Sequence, residues 1–145
     1  FASYQRQIVA NARALSGALQ EHGHRIVSGG TDNHVFLLDV AAAGLTGKIA
    51  EEALDRAALT ANKNTIPFDE NPPLVASGVR IGTPAITTRG MRESEMATVA
   101  ELIRAVLSAP DDEASLTAVR ERVAALCERF PLYPPEMAAV TASAG

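Results

Sequence analysis

The chain has 145 residues, of which 47% are apolar and 21% are charged, with a formal net charge of −4 at pH 7. These proportions are typical of one globular domain that is long enough to bury a core. The negative balance argues against a nucleic-acid partner, for which a basic patch is expected, and no apolar run approaches the length that crosses a membrane.

The first half of the chain reads as helix, hairpin, helix and strand. Apolar residues recur at helical spacing over residues 2–22, and Gly23 suits the left-handed position just past a helix end. Strands are predicted at residues 26–27 and 35–40, and the polar turn between them favours an antiparallel hairpin. Thr46 is placed to cap a helix that runs to about residue 58, followed by a strand at 59–62. The inward face of this helix is predicted as Ile49, Ala53, Leu54 and Ala57.

The second half holds a loop, a strand and two helices. A loop with three prolines covers residues 65–73, and the first half of the segment 77–90 reads as a strand whose second half turns. Helices are predicted at about residues 92–107 and 112–130. Cys127 lies on the apolar stripe of the last helix and is interpreted as a small core residue. As the single cysteine it excludes an internal disulfide, and it favours a reducing compartment.

Four helices, about four short strands and no regular strand–helix alternation predict an α+β fold. A small, mainly antiparallel sheet would carry the helices packed on one face. Residues 1–135 are assigned to one domain and residues 136–145 to a disordered tail. Because the chain starts in helical periodicity without a recognisable cap, we interpret it as a piece of a longer protein.

Arg80 is the candidate functional residue of the last strand. Side chains alternate along a strand, so Val79 and Ile81 would face the core and Arg80 the opposite side, between Gly78 and Gly82. Glycine in a strand often marks close approach by a ligand or another backbone, and a guanidinium can hold a carboxylate through two parallel hydrogen bonds. The pattern predicts a site for a small anionic ligand. On spacing alone, however, an ordinary surface or interdomain salt bridge is the favoured interpretation of Arg80.

Two other polar features are assigned to structure. The Gly-Leu-Thr-Gly-Lys run at residues 44–48 lacks the earlier glycine of a nucleotide-binding phosphate loop, and Ile49 replaces its final hydroxyl. His34 is a lone histidine without ligand partners, which favours a structural role over a metal site. His22 and His24 flank the glycine that ends the first helix, where a histidine cation would interact favourably with the helix terminus.

The segment at residues 77–90 resembles a segment of the serine hydroxymethyltransferases, a family of enzymes that use pyridoxal phosphate. It reads Ser-Gly-Val-Arg-Ile-Gly-Thr-Pro-Ala-Ile-Thr-Thr-Arg-Gly. Three further runs resemble that family in the same order and with similar gaps: Ser-Gly-Gly-Thr-Asp-Asn-His at 28–34, Gly-Leu-Thr-Gly-Lys at 44–48 and Asn-Lys-Asn-Thr-Ile-Pro at 62–67. The likeness extends from Tyr4 to Tyr133. It implies the small C-terminal domain of a fold-type I enzyme, with residues 1–23 partly forming an interdomain helix.

The resemblance also implies what the residues bind. The family interconverts serine and glycine and moves the one-carbon unit to or from tetrahydrofolate. The arginine that matches Arg80 grips the carboxylate of the amino-acid substrate, and the asparagine that matches Asn64 lies at the folate pteridine. A Ser-Pro-Phe triplet that is assigned to folate in bacterial members reads Pro72-Pro73-Leu74 here. This departure removes a hydroxyl and an aromatic ring and leaves a role for shape or backbone.

The family's cofactor lysine follows a run of threonines and a histidine, and neither Lys48 nor Lys63 stands in such a run. The resemblance therefore implies that pyridoxal 5'-phosphate is bound mainly by an N-terminal part outside these 145 residues, and that they alone are inactive. The intact enzyme would be a cytoplasmic homodimer or tetramer. Two alternatives stay open: a free-standing module that binds an amino acid through Arg80, and a dimerisation domain without catalysis.

Overall fold

A computed structural model of the chain describes residues 2–27 and 33–131. The helices in these ranges are α1 (Ala2–Glu21), α2 (Gly47–Arg56), α3 (Pro84–Thr88), α4 (Glu93–Ser108) and α5 (Glu113–Arg129). The strands are β1 (Arg25–Ile26), β2 (Val35–Asp39), β3 (Asn62–Asn64) and β4 (Gly78–Gly82), and a 3₁₀ turn covers Ala41–Ala43. Most of the polar turn predicted between the first two strands lies outside the described residues, as does the predicted tail at 136–145. No helix in the described ranges combines the length and the apolarity needed to cross a bilayer.

The strands form one antiparallel sheet in the order β1-β2-β4-β3. One face of the sheet packs against the helices, and its side chains are at most 5% exposed: Ile26, Phe36, Leu38, Val79 and Ile81. The other face carries mostly exposed or half-buried residues at the alternate positions, with Asp39 and Gly78 as its buried members. The predicted α+β fold, a small antiparallel sheet with helices on one face, is confirmed.

The first helix ends where the sequence predicts. Gly23 adopts a φ of +89°, which is the left-handed conformation that glycine tolerates best. The N–H of Gly23 donates to the backbone carbonyl of Gln20 at 2.9 Å, and the N–H of His24 donates to the backbone carbonyl of Leu19 at 3.0 Å. These paired bonds form a Schellman motif that satisfies the last carbonyls of α1.

Thr46 caps α2 as predicted, because its side chain accepts the N–H of Ile49 at 3.2 Å. The expected inward face of α2 is correct for Ala53, Leu54 and Ala57, which are buried. It is wrong for Ile49, whose side chain is 43% exposed. Ala50 takes the buried position instead, because the small side chain lets the first turn of the helix approach the core.

The start of α2 also docks against the chain that leads into β4. The N–H of Gly47 donates to Ala76 at 3.0 Å, and the N–H of Lys48 donates to Val75 at 2.9 Å. Helix N-termini bind anions through such free amides. Here the two amides are used internally, which agrees with the rejection of a phosphate loop.

Two element boundaries differ from the sequence prediction. The third strand is the polar Asn62–Asn64 rather than residues 59–62, because its pairing with β4 is made by backbone groups and needs no apolar run. Residues 84–88 form the short helix α3, where a turn was predicted. Pro84 occupies its first turn, a position at which the missing N–H costs nothing.

A buried polar network joins α1 to the chain that leaves β4. The side chain of Asn11 is fully buried and donates to the hydroxyl of Thr87 at 2.9 Å and to the carbonyl of Met91 at 3.0 Å. The hydroxyl of Thr83 donates to the carbonyl of Ile8 at 2.7 Å. Since buried polar groups without partners are costly, this network locks the exit of β4 in one arrangement.

His24 lies half-buried after α1, and its Nε2 atom is enclosed without a hydrogen-bond partner among the described residues. Burial lowers its pKa below the ordinary 6.5, and the nearby His22 and Arg104 lower the pKa further because they disfavour a second positive charge. The interpretation of His24 as a cation at the helix end is therefore wrong. The neutral ring is the form that the fold accommodates.

We expect the stability of the chain to fall as the pH is lowered from 7.5 to 5. The unfolded state takes up the His24 proton near pH 6.5, whereas the folded state resists it, so protons favour unfolding in this window. The free energy of urea unfolding at both pH values measures the effect. His24→Gln should reduce the pH dependence more than His34→Gln does, with His34 as a control at an exposed histidine. An equal dependence in all three proteins would contradict the assignment.

Candidate functional site: the exposed face of the sheet around Arg80

β4 alternates as the sequence predicts. Val79 and Ile81 lie in the core, whereas Arg80 lies on the opposite face and is exposed. Its guanidinium makes no hydrogen bond or ion pair with any residue of the described ranges. A guanidinium has five N–H donors, and none of those of Arg80 is used by a residue in the described ranges.

Backbone pairing decides which side chains surround Arg80. Its Cα partners are Leu37 on β2 and Asn62 on β3, and directly paired residues lie on the same face of a sheet. Asn62 is exposed and adds an amide beside the guanidinium. Asn64, opposite Gly78, lies on this face as well. Sequence reasoning singled out Asn64 and missed Asn62, although their spacing of two residues is a signal that both share a face.

The carboxylate that β2 contributes to this face, Asp39, is already paired. It forms an ion pair with Arg25 on β1, and its second oxygen accepts the N–H of Ala42 at 3.2 Å. Its side chain is almost fully buried by these contacts. Asp39 is therefore engaged by Arg25 and does not pair with Arg80.

The two glycines that flank Arg80 have different roles. A Cβ atom added at Gly78 would lie 2.7 Å from Cγ2 of Ile66 and 3.0 Å from the carbonyl oxygen of Asn64. The space over Gly78 is thus filled by the chain itself, so the prediction of a cleared space is wrong there. At Gly82 the nearest atom to such a Cβ is the His34 carbonyl oxygen at 3.4 Å, an ordinary van der Waals contact, so this side of Arg80 is less crowded.

Arg80 lines a cavity of about 790 Å³ that also reaches apolar residues of the helices. This volume is in the range of small-molecule sites, roughly 300–1,000 Å³. Its polar and charged lining among the described residues is His34, Thr60, Asn62, Arg80 and Arg89, with no carboxylate. A cavity with two guanidinium groups, apolar walls and no acid favours a small ligand that carries a negative charge.

The proline-rich loop at residues 65–77 borders the same face and lies outside the cavity lining. Pro72 and Pro73 are exposed, and the side chain of Leu74 is 81% exposed. Phe68 is fully exposed and adopts a φ of +59°, in the left-handed region that favours glycine. The loop thus presents apolar side chains to solvent in a conformation that needs support.

Asp69 provides that support. Its Oδ1 accepts the N–H of Asn71 at 2.8 Å and the hydroxyl of Ser77 at 2.5 Å. Its Oδ2 accepts the N–H of Ser77 at 2.9 Å and the N–H of Ile66 at 3.2 Å. The hydrogen bond from the Ser77 side chain is the largest cause that lowers the pKa of Asp69, and the three backbone N–H groups lower it further. Sequence reasoning missed Asp69, although an Asp two residues before Asn71 is a pattern of side-chain-bonded turns.

The surroundings of His34 and Arg89 fit structural roles. His34 is exposed, and its Nδ1 lies 2.7 Å from Oδ1 of Asn33. Arg89 donates to the carbonyl of Phe130 at 3.1 Å, at the end of α5. The described residues contain no group of three or more His, Cys, Asp or Glu side chains placed to hold a metal ion.

Comparison with known proteins agrees with the motifs. A family model described as "Serine hydroxymethyltransferase" matches residues 1–103. A curated serine hydroxymethyltransferase from Myxococcus xanthus (strain DK1622) is 59% identical over 133 residues, which make up 92% of this chain and 32% of that protein. The chain therefore spans about a third of the length of this relative.

We expect Gly78→Ala to destabilise the chain by about 1–3 kcal/mol, because the new methyl group overpacks Ile66 and the backbone of β3. Gly82→Ala is the matched control in the same strand, and it should be neutral or slightly stabilising because an alanine loses less entropy on folding. The free energy of urea unfolding of both variants measures the difference. Equal stabilities would show that the Ile66 contact does not constrain Gly78.

Proposed function

This chain belongs to the serine hydroxymethyltransferase family, and we propose that residues 1–135 are the C-terminal domain of an enzyme that interconverts serine and glycine. In this reaction the one-carbon unit moves to or from tetrahydrofolate. The relative from Myxococcus xanthus is about three times as long as the match, so the proposed activity belongs to a longer polypeptide. In this proposal, the chain supplies the anchor for the substrate carboxylate and a portion of the folate pocket.

The observation that carries the proposal is the guanidinium of Arg80, which has no partner in the part of the chain that the structure describes. It is exposed on the open face of the sheet, lines a cavity without carboxylates, and has Asn62 as its cross-strand neighbour. A planar guanidinium binds a carboxylate through two parallel hydrogen bonds and so fixes both its position and its orientation. The Arg80 strand is held in the sheet on both sides, by β2 and by β3. The anchor therefore needs little reorganisation when the substrate binds.

The proposed folate contacts are Asn64 and the triplet Pro72, Pro73 and Leu74. Asn64 lies on the Arg80 face, and its amide nitrogen donates to the carbonyl of Thr65 at 2.8 Å. This bond orients the side chain and leaves its oxygen as an acceptor. The three residues of the triplet are exposed and offer apolar surface, whereas the carbonyl of Pro72 already accepts the N–H groups of Val75 and Ala76. Flat apolar surface suits a fused aromatic ring, which agrees with a shape role.

The described residues do not fit the covalent attachment of pyridoxal phosphate. Neither lysine of the chain lines the cavity with Arg80. The Nζ atom of Lys63 lies 3.6 Å from Oε1 of Glu51, and this carboxylate compensates the charge of the lysine. Lys48 is exposed in the first turn of α2. We therefore assign the cofactor to the other part of the enzyme. On family resemblance, we further propose that the intact enzyme is a homodimer or tetramer in the cytoplasm.

In the full-length enzyme, Arg80→Ala should lower kcat/KM for serine by at least about 30-fold, because truncating one member of a desolvated charge pair costs roughly 2–5 kcal/mol. Arg80→Lys keeps the charge but loses the planar fork, and it should restore only part of the loss. Steady-state kinetics and the Kd of serine measure both variants.

Arg122→Ala is the matched control, since Arg122 is half-exposed and pairs with Glu101 on the helices away from the cavity. Its kinetics should equal those of the wild type. If Arg80→Ala leaves serine binding unchanged, the anchor assignment is wrong. If the wild type binds serine without turnover, the chain is part of a binding module instead.

Residues 1–145 alone should show no new visible absorbance band when pyridoxal phosphate is added at micromolar concentration. The physical reason is that neither lysine stands in a cavity that could hold the cofactor. An absorbance titration measures this, with Lys48→Arg and Lys63→Arg as the variants that locate any attachment. A stable band that one of these substitutions abolishes would contradict the expectation.

A further inference from the structure

Ser77 connects the carboxylate of Asp69 to two strands of the sheet. It directly precedes β4 and is 3% exposed. Its carbonyl accepts the N–H of Val40 at 3.0 Å and that of Ala41 at 3.2 Å, just after β2 ends. Because its N–H and hydroxyl both donate to Asp69, one carboxylate is fixed to the ends of two adjacent strands.

Ile66 connects the same carboxylate to the other end of the loop. Its N–H donates to Asp69, and its side chain covers Gly78 from the open face of the sheet. Ile66 stands two residues after Asn64, the last residue of β3. Asp69 thus joins the start of the loop, beside β3, to its end, beside β4.

The loop that Asp69 holds has a strained backbone and exposed apolar side chains. Phe68 and Ala76 both have a φ of +59°, a conformation that non-glycine residues keep only when the surroundings impose it. The side chains of Phe68 and Leu74 are 101% and 81% exposed. Hydrogen bonds to a charged acceptor are stronger than neutral ones, so the carboxylate is suited to impose this shape.

We propose that Asp69 is a positioning residue that orders the 65–77 loop before folate binds, so that Leu74 meets the ligand in one arrangement beside Asn64, which strand pairing with Gly78 holds. This inference rests on the proposed function. Ordering a loop in advance removes its entropy cost from the binding step, and the affinity for the ligand rises accordingly. Arg80 is held by strand pairing and not by Asp69, so the amino-acid anchor is independent of this effect.

The test compares Asp69→Asn with the wild type in the full-length enzyme. An Asn side chain keeps one acceptor oxygen but replaces the other with an NH₂ donor, so it cannot accept from all three backbone N–H groups and the Ser77 hydroxyl. We expect the Kd of tetrahydrofolate to rise at least about tenfold and the Kd of serine to change less than about twofold. Hydrogen exchange at the amides of Asn71 and Ser77 should accelerate in the variant.

Glu70→Gln is the matched control, because it makes the same change of charge at an exposed neighbour without a hydrogen bond in the described residues. Ser77→Ala removes one donor to Asp69 and should weaken folate binding in the same direction, which keeps the test open if Asp69→Asn does not fold. The double variant should be no weaker than Asp69→Asn alone, because both changes act on one network.

An unchanged Kd of tetrahydrofolate in Asp69→Asn would overturn the inference, as would an equal loss for serine and folate, which indicates general damage. A wild-type enzyme that binds no tetrahydrofolate would instead overturn the proposed function. In that case hydrogen exchange still decides whether Asp69 orders the loop, and equal exchange in the variant and the wild type would reject that part too.

Discussion

The burial of one face of the sheet is the constraint on which the site depends. Val79 and Ile81 lie in the core, and each buried aliphatic side chain of this size contributes roughly 1.5–3 kcal/mol. A shift of β4 by one residue would expose both and place the Arg80 cation among the helices without a partner, at a prohibitive cost in desolvation. The outward position of Arg80 is therefore a consequence of packing on the other side of the sheet.

The residues just before Arg80, from Val75 to Gly78, are closely packed against the rest of the chain. A Cβ atom at Gly47 would lie 2.5 Å from the carbonyl oxygen of Gly78, and one at Gly78 would overlap Ile66. The amides at the start of α2 bind Val75 and Ala76 from one side, and Asp69 binds Ser77 from the other. Helix, loop and strand thus meet at a single segment, which gives the exposed cation a rigid base.

Particular residues show how far the sequence carries the argument. Strand alternation and the motif likeness single out Arg80 and Asn64, and the structure brings both to one face, while their binding roles stay predictions. Sequence reasoning missed Asn62 because its position beside Arg80 depends on the register of β3 against β4. It missed Asp69 because the contacts of this carboxylate form only when the loop folds back on itself. Gly78 was assigned to ligand space, yet Ile66 occupies that space. Contacts between residues far apart along a loop leave no periodic signal in the chain.

By itself, the sequence determined the α+β class, the helix caps at Thr46 and Gly23, the inward and outward faces of β4 and the family to which the chain belongs. These features depend on local spacing, backbone preference or motif order, all of which are written along the chain. Only the tertiary structure decided that β3 is the polar Asn62–Asn64, that burial lowers the pKa of His24, and that Asp69 ties the loop to two strands. These depend on which distant atoms meet, and that is settled by packing in three dimensions.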